Sequence, residues 1–192
     1  MRLPLFSNAA VVAAPGLIVF ALLAGGTAFA DPAGDLKNGM IAFHKLSSYH
    51  MTVTSRGKTI EGDFVAPDRM HVTVAGREVI RIGSTTYFNA NGSWMKISAP
   101  GASAMMFGPV DDVRNVGAHP NDMIVTDLGP KTAGGISYHA YSVRSSSSPS
   151  ASICYLDRDG MLARVESTGA DGSISTVLFS RFNAPVKIDA PV

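Results

Sequence analysis

Five histidines, His44, His50, His71, His119 and His139, are the side chains in this sequence best suited to hold a metal or move a proton. They are scattered along the chain. No His-Glu-x-x-His or Cys-x-x-Cys spacing brings two ligands onto one face, so no metal site is expected. His50 and His71 also stand out of phase with the apolar residues beside them, which places both on solvated strand faces. A nucleophilic serine would need a strained Gly-x-Ser-x-Gly turn, and no segment has that form. Asp111-Asp112 opens a short helical stretch, where negative charge complements the helix N-terminus rather than forming an acid/base pair. Asp157-Arg-Asp-Gly160 looks like the start of a calcium loop but lacks its third acidic ligand and closing glutamate; a tight turn on Asp159-Gly160 accounts for it. No Gly-x-Gly-x-x-Gly follows a strand to cradle phosphate. The expectation is a non-enzyme with no cofactor.

The single cysteine, Cys154, sits in the apolar strand-like run Ala151-Ser-Ile-Cys-Tyr-Leu156 and reads as a buried, inert thiol. Methionine is in unusual supply, with nine in the chain. Its flexible thioether adapts to irregular and variable contact shapes. Met51, Met70 and Met95 fall on predicted strands, and Met105-Met106-Phe107 on an irregular segment bounded by Gly101 and Gly108 that could move as a lid.

These residues must be positioned by a chain that opens with a secretion signal. Arg2 precedes an apolar run from about Val11 to Leu23, and Ala28-Phe29-Ala30 forms a small-x-small cleavage site before Asp31. Pro15 and Gly16 interrupt that run and Gly25-Gly26 ends it, which argues against a retained membrane anchor. Cleavage after Ala30 would leave residues 31–192 in the periplasm or outside the cell as one domain, with a signal peptide at 1–30. No cysteine follows the signal to carry a lipid anchor, and a lone cysteine makes no internal disulfide, so a hydrophobic core must hold the fold. Setting Arg2 aside, 15 basic residues face 15 acidic ones. That balance lacks the basic footprint of a nucleic-acid binder.

Asp31-Pro32 then starts a helix, with Leu36, Met40, Phe43 and Leu46 at helical spacing over about Pro32 to Leu46. At Tyr49 the period changes to two. Turn signals at Arg56-Gly57, Pro67-Asp68, Ala75-Gly76, Gly83-Ser84 and Asn91-Gly92 cut the next stretch into strands near 49–56, 59–66, 69–75, 77–82, 85–89 and 93–97. Residues 98–120 read as an irregular crossover with a short helix over 110–116. Strands resume near 123–128, 136–144, 151–157, 161–168 and 173–182, divided by Gly129-Pro130, the Ser145–Ser150 loop, Asp159-Gly160 and Asp171-Gly172. The sum is a mainly β (α+β) antiparallel meander of eleven strands with two helical segments.

The run Gly62-Asp-Phe-Val-Ala-Pro-Asp-Arg-Met-His-Val-Thr-Val74, followed by Glu78–Phe88, Gly92-Ser-Trp-Met-Lys96 and the closing Phe179-Ser-Arg-Phe-Asn-Ala-Pro-Val-Lys-Ile188, resembles the LolA-like superfamily of the periplasmic lipoprotein carrier and the LppX/LprG-type lipid-carrying lipoproteins. The resemblance implies a strongly curved half-barrel of about eleven strands packed on a few helices, with an apolar cavity for acyl chains. At about 0.8 kcal/mol per buried CH₂, some fifteen methylenes offer roughly 12 kcal/mol before entropy and rearrangement are subtracted. On this reading the ligand-binding set is Met51, Val53, Phe64, Met70, Val72, Val74, Ile80, Ile82 and Trp94, with Met105, Met106 and Phe107 on the lid. The partner would be a lipid or other hydrophobic ligand, with an envelope protein to deliver or receive it. Arg56, Arg69, Arg77 and Arg81 are all candidates for the family's lid-locking arginine. The alternative is an envelope sensor or interaction module that fills the same half-barrel with its own side chains.

Overall fold

A computed structural model describes residues 31–97, 123–145, 151–169 and 171–191. The signal segment, the crossover with Met105, Met106 and Phe107, the short helix over 110–116 and most of the serine loop lie outside the described residues.

One helix, α1 (Pro32–His44), precedes strands β1 (Ser48–Ser55), β2 (Lys58–Val65), β3 (Arg69–Val74), β4 (Arg77–Ile82), β5 (Thr85–Ala90) and β6 (Ser93–Ile97). The second run is β7 (Met123–Ala133), β8 (Ile136–Ser145), β9 (Ala151–Leu156), β10 (Leu162–Thr168) and β11 (Ile174–Ser180). All eleven join one open, curved antiparallel sheet in the order β6-β5-β4-β3-β2-β1-β11-β10-β9-β8-β7. Each run is a meander of neighbours, and the β1–β11 ladder from His50↔Ser180 to Ser55↔Ser175 joins the two runs side by side. The outermost strands are therefore β6 and β7.

Two-residue turns set the registers of the first run at every connection except β2–β3, which is joined by the three residues 66–68. At Ala75-Gly76 both residues take positive φ, 50° and 76°, the mirror-image turn whose twist matches that of the flanking strands. It opposes Val74 to Arg77 and, counting outward, Val72 to Val79 and Met70 to Arg81. Strand β7 runs past the predicted break at Gly129-Pro130. A bulge between Asp127 and Gly129, where Asp127 Oδ1 accepts the Gly129 N–H at 2.7 Å, absorbs the extra residue. Pro130 is tolerated because β7 pairs only with β8, so its missing N–H costs no ladder bond on an inner strand. The reversal comes instead at Gly134-Gly135.

Helix α1 begins where Asp31 is extended and Pro32 takes the first helical position, and it ends at His44 rather than at Leu46. Leu36, Gly39, Met40 and Phe43, at i, i+3, i+4 and i+7, form its buried stripe against β7, β9 and β10. Gly39 permits the close approach: a Cβ there would lie 2.7 Å from the Gly160 carbonyl oxygen and 2.8 Å from Leu156 Cδ2. Alanine favours a helix over glycine by about 1 kcal/mol, yet the contact with backbone cannot relax cheaply. Gly39→Ala is accordingly expected to lower the melting temperature by a few degrees in calorimetry; a higher value would mean that α1 does not press on the β9–β10 turn.

Candidate functional site

Directly opposed residues of antiparallel strands share a face, so the ladders define three rows across the concave side. One row runs Tyr49, Phe64, Met70, Arg81, Thr86. The next runs Phe179, Met51, Gly62, Val72, Val79, Phe88, Met95. The third runs Val74, Ile60, Val53, Val177, Val165, Cys154, Tyr141, Asp127. With α1 they make one continuous core that holds Met51, Val53, Phe64, Met70, Val72, Val79 and Cys154. Burial pushes the Cys154 thiol up to about 12, in keeping with an inert buried cysteine.

Of the residues predicted to face inward, Met51, Val53, Phe64, Met70, Val72 and Val74 do so, the last partly buried. Ile80, Ile82 and Trp94 do not. Ile80 opposes His71, Ile82 opposes Arg69 and Trp94 opposes Asn89, all on the convex side. Strand β4 carries apolar residues in both phases, Val79 in one and Ile80 and Ile82 in the other, so its hydrophobicity does not choose; the Ala75-Gly76 turn does, by one residue. Val79 and Phe88 take the inward positions instead. Met105, Met106 and Phe107 lie outside the described residues.

The four candidate arginines divide. Arg81 sits in the concave row between Met70 and Thr86, and the Arg77 guanidinium lies 5.9 Å from the Phe88 ring centre on the same side. Arg69 is convex and donates to the Ile188 carbonyl at 2.6 Å, which ties down the C-terminal tail, while Arg56 pairs with Asp171 across two turns. The convex side carries the polar partners: His50 Nδ1 is 2.8 Å from Asp63 Oδ1, and His71 Nε2 is 3.3 Å from Glu78 Oε1.

Two cavities border the concave side at opposite ends of β1. One, of about 190 Å³, is lined by Phe43, His44, Tyr49, Phe64, Ala66 and Pro67. Tyr49 stacks on Phe64 at 4.8 Å between ring centres and also meets Phe43 at 4.8 Å, so this end has an aromatic wall. The other, of about 280 Å³, is lined by Val53, Ser55, Arg56, Lys58 and Ile60, an apolar floor with a cationic rim. Met51 stands on β1 between them, 1 % exposed. Each cavity is smaller than the ~300–1,000 Å³ usual for small-molecule sites. Among the described residues no cluster of three or more potential metal ligands occurs, and no helix is long and apolar enough to cross a membrane. The Asp157–Gly160 segment is a turn: Asp157 Oδ1 accepts the Asp159 and Met161 N–H groups, each at 2.9 Å.

No family model and no curated protein matches the chain. Solved structures do. The lipoprotein LppX of Mycobacterium tuberculosis superposes with a TM-score of 0.61 at 15 % identity, over 82 % of this chain and 97 % of that one. LprF from Mycobacterium bovis gives 0.61 at 14 % identity over 83 % and 96 %. MucB gives 0.52 at 15 % identity over 82 % of this chain, which spans 60 % of MucB. With eleven antiparallel strands curved into an open sheet around a helix, the chain shares the fold of LppX and LprF, as the resemblance to the LolA-like superfamily implied.

Proposed function

We propose that this protein is an exported, non-enzymatic binding or carrier protein that holds a lipid, acyl chain or other long apolar ligand on the concave face of the half-barrel. The observation that carries the reading is the pair of cavities at the two ends of β1, separated by the methionine Met51 on a wall of apolar side chains. A strand rises about 3.4 Å per residue, so Tyr49 and Ser55 stand about 20 Å apart, the reach of an extended acyl chain of about sixteen carbons. Neither cavity holds such a chain alone. Joining them requires Met51 and its neighbours Val53, Phe64, Met70, Val72 and Val74 to shift, and methionine rearranges at little cost. The half-barrel fold shared with the lipoprotein LppX and with LprF supports the reading. The Ala28-Phe29-Ala30 site supports export and removal of residues 1–30, leaving 31–192 as the working domain.

Native mass spectrometry after gentle purification tests this. A co-purified lipid, or a mass shift on incubation with fatty acids or lipid probes, is the expected result; an empty protein that ignores both would overturn it. The close packing of the core favours a second reading, an envelope sensor or interaction module with a filled interior. Capture of a periplasmic partner by the ligand-free protein would select that reading.

A further inference from the structure

The cavity of about 280 Å³ differs in character from its counterpart at the other end of β1. Its floor is Val53 and Ile60, directly opposed on β1 and β2; two residues further along each strand, on the same face, Ser55 opposes Lys58, and Arg56 follows in the turn. The apolar concave row therefore meets solvent beside two cations. Arg77 stands nearby in the same row, opposite Val74, which in turn opposes Ile60. The other cavity is walled by Phe43, Tyr49 and Phe64, with no lysine or arginine among the described residues of its lining.

Acidic side chains do not cancel this charge. Glu61 and Glu78 face the convex side, and Asp127 ends its row on the far edge strand β7. Asp171, in the β10–β11 turn, pairs with Arg56, but both side chains are more than half exposed, where such a pair is readily exchanged. Among the described residues Lys58 has no ion-pair partner. The Ser55 and Ser175 hydroxyl oxygens lie 2.7 Å apart; one donates to the other, and the second keeps its proton for a ligand.

We infer that this cavity is the head-group end of the lipid site, taking a carboxylate or phosphate against Lys58, Arg56 and Ser55. Val53 and Ile60 then receive the first methylenes, and the chain points past Met51 toward the aromatic end. Ammonium, guanidinium and hydroxyl donors all suit an anionic oxygen, and none favours a neutral ester head to the same degree. The assignment rests on the ligand-binding reading above and deepens it by naming the head chemistry and the direction of the chain.

The test measures binding of palmitate, of 1-monopalmitoylglycerol and of inorganic phosphate at pH 8 and low salt. The ratio of affinities, acid over glycerol ester, is expected to exceed one in the wild type and to shrink as salt is added. It should fall about threefold in Lys58→Gln and about tenfold in Lys58→Glu, whose exposed positions leave folding intact. Asp171→Asn should raise it about threefold, because it releases Arg56 while keeping an acceptor oxygen for Ser173. Arg158→Gln, which removes a 92 % exposed cation from the β9–β10 turn, should leave the ratio unchanged. Phosphate alone should bind at least about tenfold more weakly than palmitate, since it leaves the apolar floor uncovered. A wild-type ratio of one or less, or a ratio that the Lys58 variants do not move, overturns the head assignment and leaves the carrier reading intact. Failure of both lipids to bind overturns the two together, and phosphate binding in that case would make the cavity a site for a free anion.

Discussion

Met70→Lys is expected to remove at least about 4 kcal/mol of stability, whereas Thr73→Lys, three residues along the same strand, should leave the protein as stable as before or slightly more so. Met70 is 0 % exposed and opposes Phe64 on one side and Arg81 on the other. Lysine there loses the methionine packing, brings a charge into the core and sets it beside a second cation. Thr73 faces the convex side between Glu61 and Glu78, where a lysine gains about 0.2–1 kcal/mol from each opposite charge. Urea unfolding followed by circular dichroism distinguishes the two, and for a ligand-bound sample the retention of a lipid probe should fall with Met70→Lys alone. Damage at Thr73 with Met70→Lys tolerated would show that β3 sits in the other phase and would remove Met70 and Val72 from the proposed binding wall.

The second large effect is expected at Gly62. It occupies the concave row between Met51 and Val72, where a Cβ would lie 2.5 Å from Val72 Cγ1 and 2.7 Å from the His71 carbonyl oxygen. The absence of a side chain lets β2 and β3 press together where the sheet curves. Gly62→Ala should cost about 1–3 kcal/mol through overpacking, and Gly62→Val more. Pairing Gly62→Ala with Val72→Ala relieves the side-chain clash but not the one with backbone, so the double variant should be less unstable than the sum of the singles by about 1 kcal/mol. Strict additivity would mean that the strands spread apart at this point instead.

The strands were legible because their boundaries are chemical. Gly and Asn residues at the turns impose positive φ, and the apolar period of two between them is nearly unbroken, so all eleven strands and α1 can be read along the chain. Side-chain phase was legible only where a strand is apolar on one face. Tyr49, Met51 and Val53 alternate with polar residues and point one way; Val79-Ile80-Arg81-Ile82 does not alternate, and register from the preceding turn has to decide it. Trp94 misleads for a related reason. Its strand, β6, is at the sheet edge, where a large aromatic can be half-buried on the convex side while Met95, facing inward, is 48 % exposed. The continuation of β7 through Pro130 depends on its edge position, a property of the sheet rather than of the segment.

The place of the last strand has a consequence for truncation. In most meanders the final strand is a border, and a premature stop trims the sheet. Here β11 lies in the middle, hydrogen-bonded to β1 on one side and to β10 on the other. A chain that stops before Ile174 therefore loses the seam between its halves, leaving two short ribbons with bare inner margins that invite pairing with other molecules. The centre of the sheet also cannot assemble until nearly the whole polypeptide is available, so its two halves must wait for each other before the fold can close.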